Sequence, residues 1–247
     1  VKKLTVLTIL TIAGSMLIAA APCSADALTV SYFTMNSSDP DVGNGGDYTV
    51  ATTLGPNGLP VWTGGQQLND LNGSNEIEWW APSFDSFITA TGTGSLTVPF
   101  DVSMYTPNGT GSSDGGTNGF QAAVLTGNFS VTSPEQVTFD LGSDDDSFLY
   151  VDGSLVAAIP GIHGDSSTSY TTSQLGVGDH SLVLFYTDRE PVGAELSLSI
   201  ETQGLGVTGG DPFTAGTPEP GTLLLLGSGM LALGRFTRRK LATSAKN

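Results

Sequence analysis

Basic residues are the scarcest component of this chain. Of its 247 residues only eight are lysine or arginine, against 24 aspartate and glutamate. Seven of the eight lie near the two ends, so between residues 28 and 217 Arg189 is the sole basic side chain among 22 acidic ones. Such a segment has no face that could neutralise phosphates, which excludes nucleic acid as a natural partner and disfavours anionic lipid surfaces. It attracts divalent cations instead. Cysteine is nearly absent too. The single Cys23 rules out an internal disulfide. The two histidines, His163 and His180, lie on different segments with no cysteine near them, which argues against zinc. Helical periodicity is missing everywhere except in the two terminal segments.

Those terminal segments read as addresses. Lys2 and Lys3 precede an apolar run from Leu4 to Ala21, and Ala25-Asp26-Ala27 is a small-x-small cleavage site, the pattern of a secretory signal peptide over residues 1–27. Cleavage after Ala27 removes the only cysteine. At the other end Pro218-Glu219-Pro220 can neither continue a strand nor sit inside a helix. An apolar stretch rich in leucine and glycine follows, and Arg235, Arg238, Arg239 and Lys240 close it. Residues 221–236 make a transmembrane segment shorter than the roughly 20 residues of a usual span. The basic cluster should remain cytoplasmic.

Residues 28–202 are long enough to bury a full core as one domain. Short runs rich in Val, Thr, Phe, Tyr and Leu alternate with Gly, Asn, Asp, Ser and Pro, which predicts an all-β fold, a β-sandwich or jelly-roll. Strands are expected at 28–35, 48–54, 95–100, 119–131, 136–142, 147–152, 154–159, 180–187 and 194–202. The stretches 37–47 and 106–119 read as mobile loops, and residues 203–217 as a linker.

The stretch "LGSDDDSFLYVDG" raises the sharpest question. Asp144, Asp145 and Asp146 stand side by side at the start of a strand, where three carboxylates repel one another. Water can solvate them, an arginine can pair with them, or a hard cation can bind there through carboxylate and carbonyl oxygens. Neighbouring strand residues point to opposite faces, so two aspartates converge only where the backbone departs from a regular strand. Asp188 and Glu190, just past the strand at 180–187, are the positional candidates for further metal ligands. Arg189 between them either pins the strand end to an acidic group or contacts an anionic ligand such as a uronic acid. The structural role is the stronger reading for a lone arginine among acids. Trp79 and Trp80 could stack on sugar rings, at most one being exposed if they share a strand. His163, in Gly161-Ile162-His163-Gly164, is placed to hydrogen-bond in a turn or to line a ligand site. Glu76 and Glu78 share a strand face but lack a supporting catalytic constellation, and no nucleophile elbow is present. An enzyme is not expected.

Two resemblances add to this reading. The order Pro-Glu-Pro, short apolar segment, basic cluster over residues 218–247 closely resembles the PEP-CTERM sorting signal of Gram-negative bacteria. That resemblance implies an exosortase as processing partner and a place in the cell envelope, on the outer surface or in the extracellular matrix, among exopolysaccharide. Residues 76–201 resemble the fibro-slime domain of the protective-antigen-like β-sandwich superfamily. The match runs through Trp79-Trp80, "FDVSMYTPNG", "SDDDSFLYVDG", "GIHG" and "FYTDRE". In the flocculin-type lectins of that superfamily, two adjacent aspartates joined by a cis peptide hold calcium, which in turn holds sugar hydroxyls. Carried across, the pair is Asp144 and Asp145, with Asp146 where many relatives have glycine. The resemblance implies a non-catalytic domain that binds or organises extracellular polysaccharide with calcium. The alternative is a structural matrix protein in which the ion only rigidifies the fold.

Overall fold

The computed structural model describes residues 26–216. The sorting-signal residues, the transmembrane segment and most of the signal peptide, Ala25 included, lie outside them. No helix among the described residues is long and apolar enough to cross a membrane.

The described residues are all-β, and two sheets stack as a sandwich. The larger combines β1 (Ala27–Met35), β4 (Ile88–Thr97), β6 (Phe120–Val131), β8 (Asp146–Val151), β9 (Ser154–Ile159) and β11 (Gly178–Thr187) in the order β4-β1-β6-β11-β8-β9. The smaller runs β10 (Ser166–Thr171), β7 (Thr138–Asp144), β12 (Glu195–Ile200), β5 (Phe100–Ser103). Every named pairing is antiparallel. A short hairpin of β2 (Tyr48–Val50) and β3 (Trp62–Gly65) stands outside both sheets.

Alternation along the central strands supplies two cores rather than one. Leu149 and Val151 of β8, Leu182, Leu184 and Tyr186 of β11, and Ala123 and Leu125 of β6 face the smaller sheet. Their neighbours Phe148, Tyr150, Phe185, Ala122 and Val124 face the other way, onto a second core with Trp79, Trp80, Leu59, Leu68 and Ile77. The larger sheet is therefore buried on both sides. This is why "SFLYV" and "LVLFY" are continuous apolar runs instead of polar–apolar alternations. The covering layer is the long irregular stretch between β1 and β4. Its indoles are fully buried: Trp80 stacks edge-on against Phe185 at 4.9 Å and donates to the Tyr186 carbonyl at 2.7 Å.

Two expectations need correction. Residues 203–216 are not a free linker. β13 (Val207–Gly209) pairs with β6, and Phe213 packs on Phe185 at 5.5 Å while its amide donates to Ser31. The apolar Val207 and Phe213 find open sheet surface there, which outweighs the glycine-rich composition. The stretches 37–47 and 106–119 are tied down by buried aspartates: Asp41 takes five donors, and Asp114 accepts from the amides of Thr106 and Gln121. Asp26 and Ala27 also take part in the fold. Ala27 opens β1, and Asp26 accepts from the amides of Val98 and Val207. A cut after Ala27 would give up both bonds.

Ending the chain after residue 202 removes β13 and Phe213. Burial of about one aromatic side chain, roughly 2 kcal/mol, is lost, and the urea midpoint should fall accordingly; an unchanged midpoint would restore the linker reading.

Candidate functional site

The three adjacent aspartates mark the corner where the chain leaves one sheet for the other. Asp144 ends β7 in the smaller sheet, and Asp146 begins β8 in the larger. Asp145 lies between them, and the Asp144–Asp145 peptide is cis. Two loops close around this corner: 160–165 after β9, and 188–194 between β11 and β12.

Each aspartate has a different set of partners. Asp146 is wholly committed to structure. One carboxylate oxygen accepts from the Tyr48 hydroxyl at 2.6 Å and from the Gly161 amide, and the other accepts from Arg189 Nε at 2.7 Å. Both side chains of this ion pair are fully buried. It therefore cannot serve as a metal ligand without breaking the pair, which corrects the expectation for Asp146. Asp145 is oriented by backbone donors: its two oxygens accept from the amides of His163 and Arg189, each at 2.9 Å. Burial raises its carboxyl, while those two amides pull it down. Asp144 is different again. It is buried, yet no N–H among the described residues donates to its carboxylate. Burial and the neighbouring Asp145 push it up to about 6. Gly193, at φ 90°, lies directly against it, and a Cβ there would overlap the Asp144 carboxylate. The chain thus keeps this side of the carboxylate clear of side chains.

Arg189 resolves as a structural residue. Its Nη1 donates to the carbonyls of Asp41 at 3.0 Å and Asn44 at 2.9 Å, and its guanidinium lies 4.6 Å from the Trp79 ring centre. Trp79 in turn donates to Asp41 at 3.1 Å. Burial alone would depress the guanidinium's pKa, but Asp146 holds it raised. Arg189, Trp79 and Trp80 offer no exposed surface, so the ligand-contact roles expected of them do not apply; the covering layer consumes all three. His163 remains at the corner, half-buried, its Nδ1 within 3.0 Å of the Gly164 carbonyl and its Nε2 without a partner.

Asp188 and Glu190 are not brought into one ligand set with Asp144. Asp188 points to Asp114, and burial with that carboxyl contact pushes it up to about 11. Its protonated form is therefore favoured at neutral pH, and it accepts from the Glu190 amide at 3.1 Å. Glu190 is exposed on the rim, and next to Gly193 the side chain of Val192 is 78% exposed. Glu76 is also spent on structure, accepting from Asn57 and Asn72 in the covering layer. Gly193 and Asp114 had no sequence signal beyond ordinary turn composition.

Two predictions follow from these partners. Arg189→Gln leaves Asp146 buried and unpaired, and should cost about 3–5 kcal/mol in chemical denaturation; an unchanged midpoint would deny the pair its role. Asp188 keeps its proton on folding, whereas the unfolded chain releases it above about pH 4. Its stabilising contribution is therefore complete below that pH and falls as pH rises towards about 11. Asp188→Asn should flatten this slope in denaturation curves recorded across pH; a slope unaltered by the substitution would show Asp188 to be ionised in the fold.

A family model described as the PEP-CTERM protein-sorting motif matches residues 217–240. No curated protein matches the chain in sequence. Among solved structures, an epithelial adhesin 9 A domain from Candida glabrata in complex with Galβ1-4GlcNAc aligns over 74% of this chain and 89% of its own, with TM-score 0.42 and 12% identity. A PA14 sugar-binding domain from an RTX adhesin aligns over 73% and 92%, with TM-score 0.38 and 16% identity. A GH31 α-xylosidase from Xanthomonas citri aligns over 46% of this chain but only 12% of its own length, with TM-score 0.35 and 18% identity. The sorting motif implies an exported protein, processed by an exosortase and delivered to the cell envelope.

Proposed function

We propose that this is a non-catalytic surface or matrix protein of a Gram-negative bacterium, whose sandwich binds extracellular polysaccharide through a calcium ion at the Asp144–Asp145 corner. The observation that carries this reading is the pair itself. Asp145 is held in place by two backbone amides, while the adjacent Asp144 receives no donor among the described residues, keeps its carboxylate oxygens open to solvent, and has no side chain on the flank occupied by Gly193. Two adjacent carboxylates in a largely buried corner repel each other unless a positive charge meets them. The only arginine in reach is already paired with Asp146. Calcium takes oxygen ligands, and Asp144 and Asp145 supply them. A calcium ion held there would supply oxygen coordination for sugar hydroxyls. The chain's own contribution is to orient Asp145, exclude competing side chains at Gly193, and present Glu190, Val192 and His163 on the surrounding loops. Val192 is suited to the apolar face of a sugar ring.

Thermal unfolding in EDTA and then in calcium tests this. At calcium a hundredfold above Kd the protein should gain about 2.7 kcal/mol, and Asp144→Asn/Asp145→Asn should abolish the part of the shift due to this corner. Polysaccharide capture should require calcium and weaken in Val192→Asp, which leaves the unfolding midpoint unchanged. Calcium binding at the corner without any capture would favour a structural matrix role, and release of reducing ends would make the protein an enzyme. No change in the shift on substituting the pair would remove the reading.

A further inference from the structure

The covering layer holds a second group of acids, remote in sequence from the corner. The carboxylates of Asp39, Asp70 and Asp85 each bring one oxygen into a set lying within 4.8 Å of one another. Asp39 and Asp85 are more than nine-tenths buried, and Asp70 is half-buried. One oxygen of Asp39 accepts from the Asp41 amide and one of Asp85 from the Phe87 amide, each at 2.8 Å. The second oxygen of Asp39, of Asp70 and of Asp85 is buried without a hydrogen-bond partner. No ion pair among the described residues reaches them. None can come from elsewhere in this part of the chain, because Arg189 is its only basic residue and is spent on Asp146.

The contrast with Asp41, two residues from Asp39, is instructive. Asp41 is equally buried, but its oxygens receive five donors, and these outweigh burial and hold its carboxyl below the usual range. The fold thus satisfies a buried carboxylate in this layer when it has donors to offer. At the neighbouring trio it orients one oxygen of Asp39 and of Asp85 with an amide and leaves their other oxygens facing each other. Oxygens that share a calcium ion lie about 2.3–2.6 Å from it, hence at most about 5 Å apart, which is the spread found here.

We propose that Asp39, Asp70 and Asp85 form a second divalent-cation site, suited to calcium, that staples the 36–47 loop to the segment 69–87. The half-buried Asp70 gives the ion its way in and leaves room for water to complete the coordination shell. The site holds the loop whose Asp41 and Asn44 carbonyls receive Arg189, so it supports the corner from behind without belonging to it. The competing occupant is a proton shared between Asp39 and Asp70.

Calcium titration of the chelator-treated full chain, by calorimetry and native mass spectrometry, tests the site. Two ions per chain are expected, falling to one in Asp70→Asn/Asp85→Asn and to one in Asp144→Asn/Asp145→Asn. Hydrogen exchange in the unsubstituted protein supplies a readout that needs no variant: calcium should slow the amides of 39–44 and 69–71. A single ion lost only with Asp70 and Asp85 would uphold this site and remove the corner's calcium. A single ion lost only with Asp144 and Asp145, with exchange at 39–44 unaltered, would overturn the inference and leave the proposed function intact. No ion at all would overturn both and assign the trio to a shared proton.

Discussion

The buried ion pair between Asp146 and Arg189 is the constraint on which the rest of the structure depends. Removing both charges from water is expensive, and a pair of this kind persists only when most of its remaining donors and acceptors are met. Here they are met by three separate pieces of chain, with Arg189 Nη2 the one group left without a partner. Tyr48 arrives from the outer hairpin, the Gly161 amide from the loop after β9, and the Asp41 and Asn44 carbonyls from the 36–47 loop. Trp79 closes over the guanidinium. The pair is thus a knot between the sandwich and its covering layer. Because the chain has no second basic residue in this region, no rearrangement can supply another partner.

That knot divides the labour among three neighbouring carboxylates. Asp146 is neutralised by arginine. Asp145 is aimed by the Arg189 and His163 amides, so the residue that pairs with Asp146 also positions Asp145 through its backbone. Asp144 receives neither, and remains the reactive member. Asp188, which looks like a natural addition to the cluster in sequence, turns away to Asp114, and burial beside that carboxyl pushes it toward its protonated form. An acidic cluster is therefore resolved into distinct chemical states by burial and donor supply rather than by residue type.

Much of this was legible in the chain itself. Short runs rich in Val, Thr, Phe, Tyr and Leu, bounded by turn residues, located β1, β6, β8, β9 and β11, and the scarcity of basic residues pointed to Arg189 as an anchor. The layer between β1 and β4 was not legible. Its residues form a core only against the outer face of the larger sheet, and no local period encodes a contact between Trp80 and Phe185 more than a hundred residues apart. The same limit hid Asp39, Asp70 and Asp85, which read as turn residues beside Pro40, Asn69 and Ser86. For Trp79 and Trp80, burial is the commoner expectation and sugar stacking by at most one of them the alternative; the irregular segment buries both. Residues 203–216 misled through composition, since two apolar side chains, Val207 and Phe213, outweigh their glycine-rich surroundings.

The most direct test is a crystal structure grown in calcium, with anomalous diffraction to locate the ions. The account requires an anomalous peak between Asp144 and Asp145, a second among Asp39, Asp70 and Asp85, and Arg189 still on Asp146 beneath Trp79. An ion coordinated by Asp146, with Arg189 displaced to solvent, would contradict it.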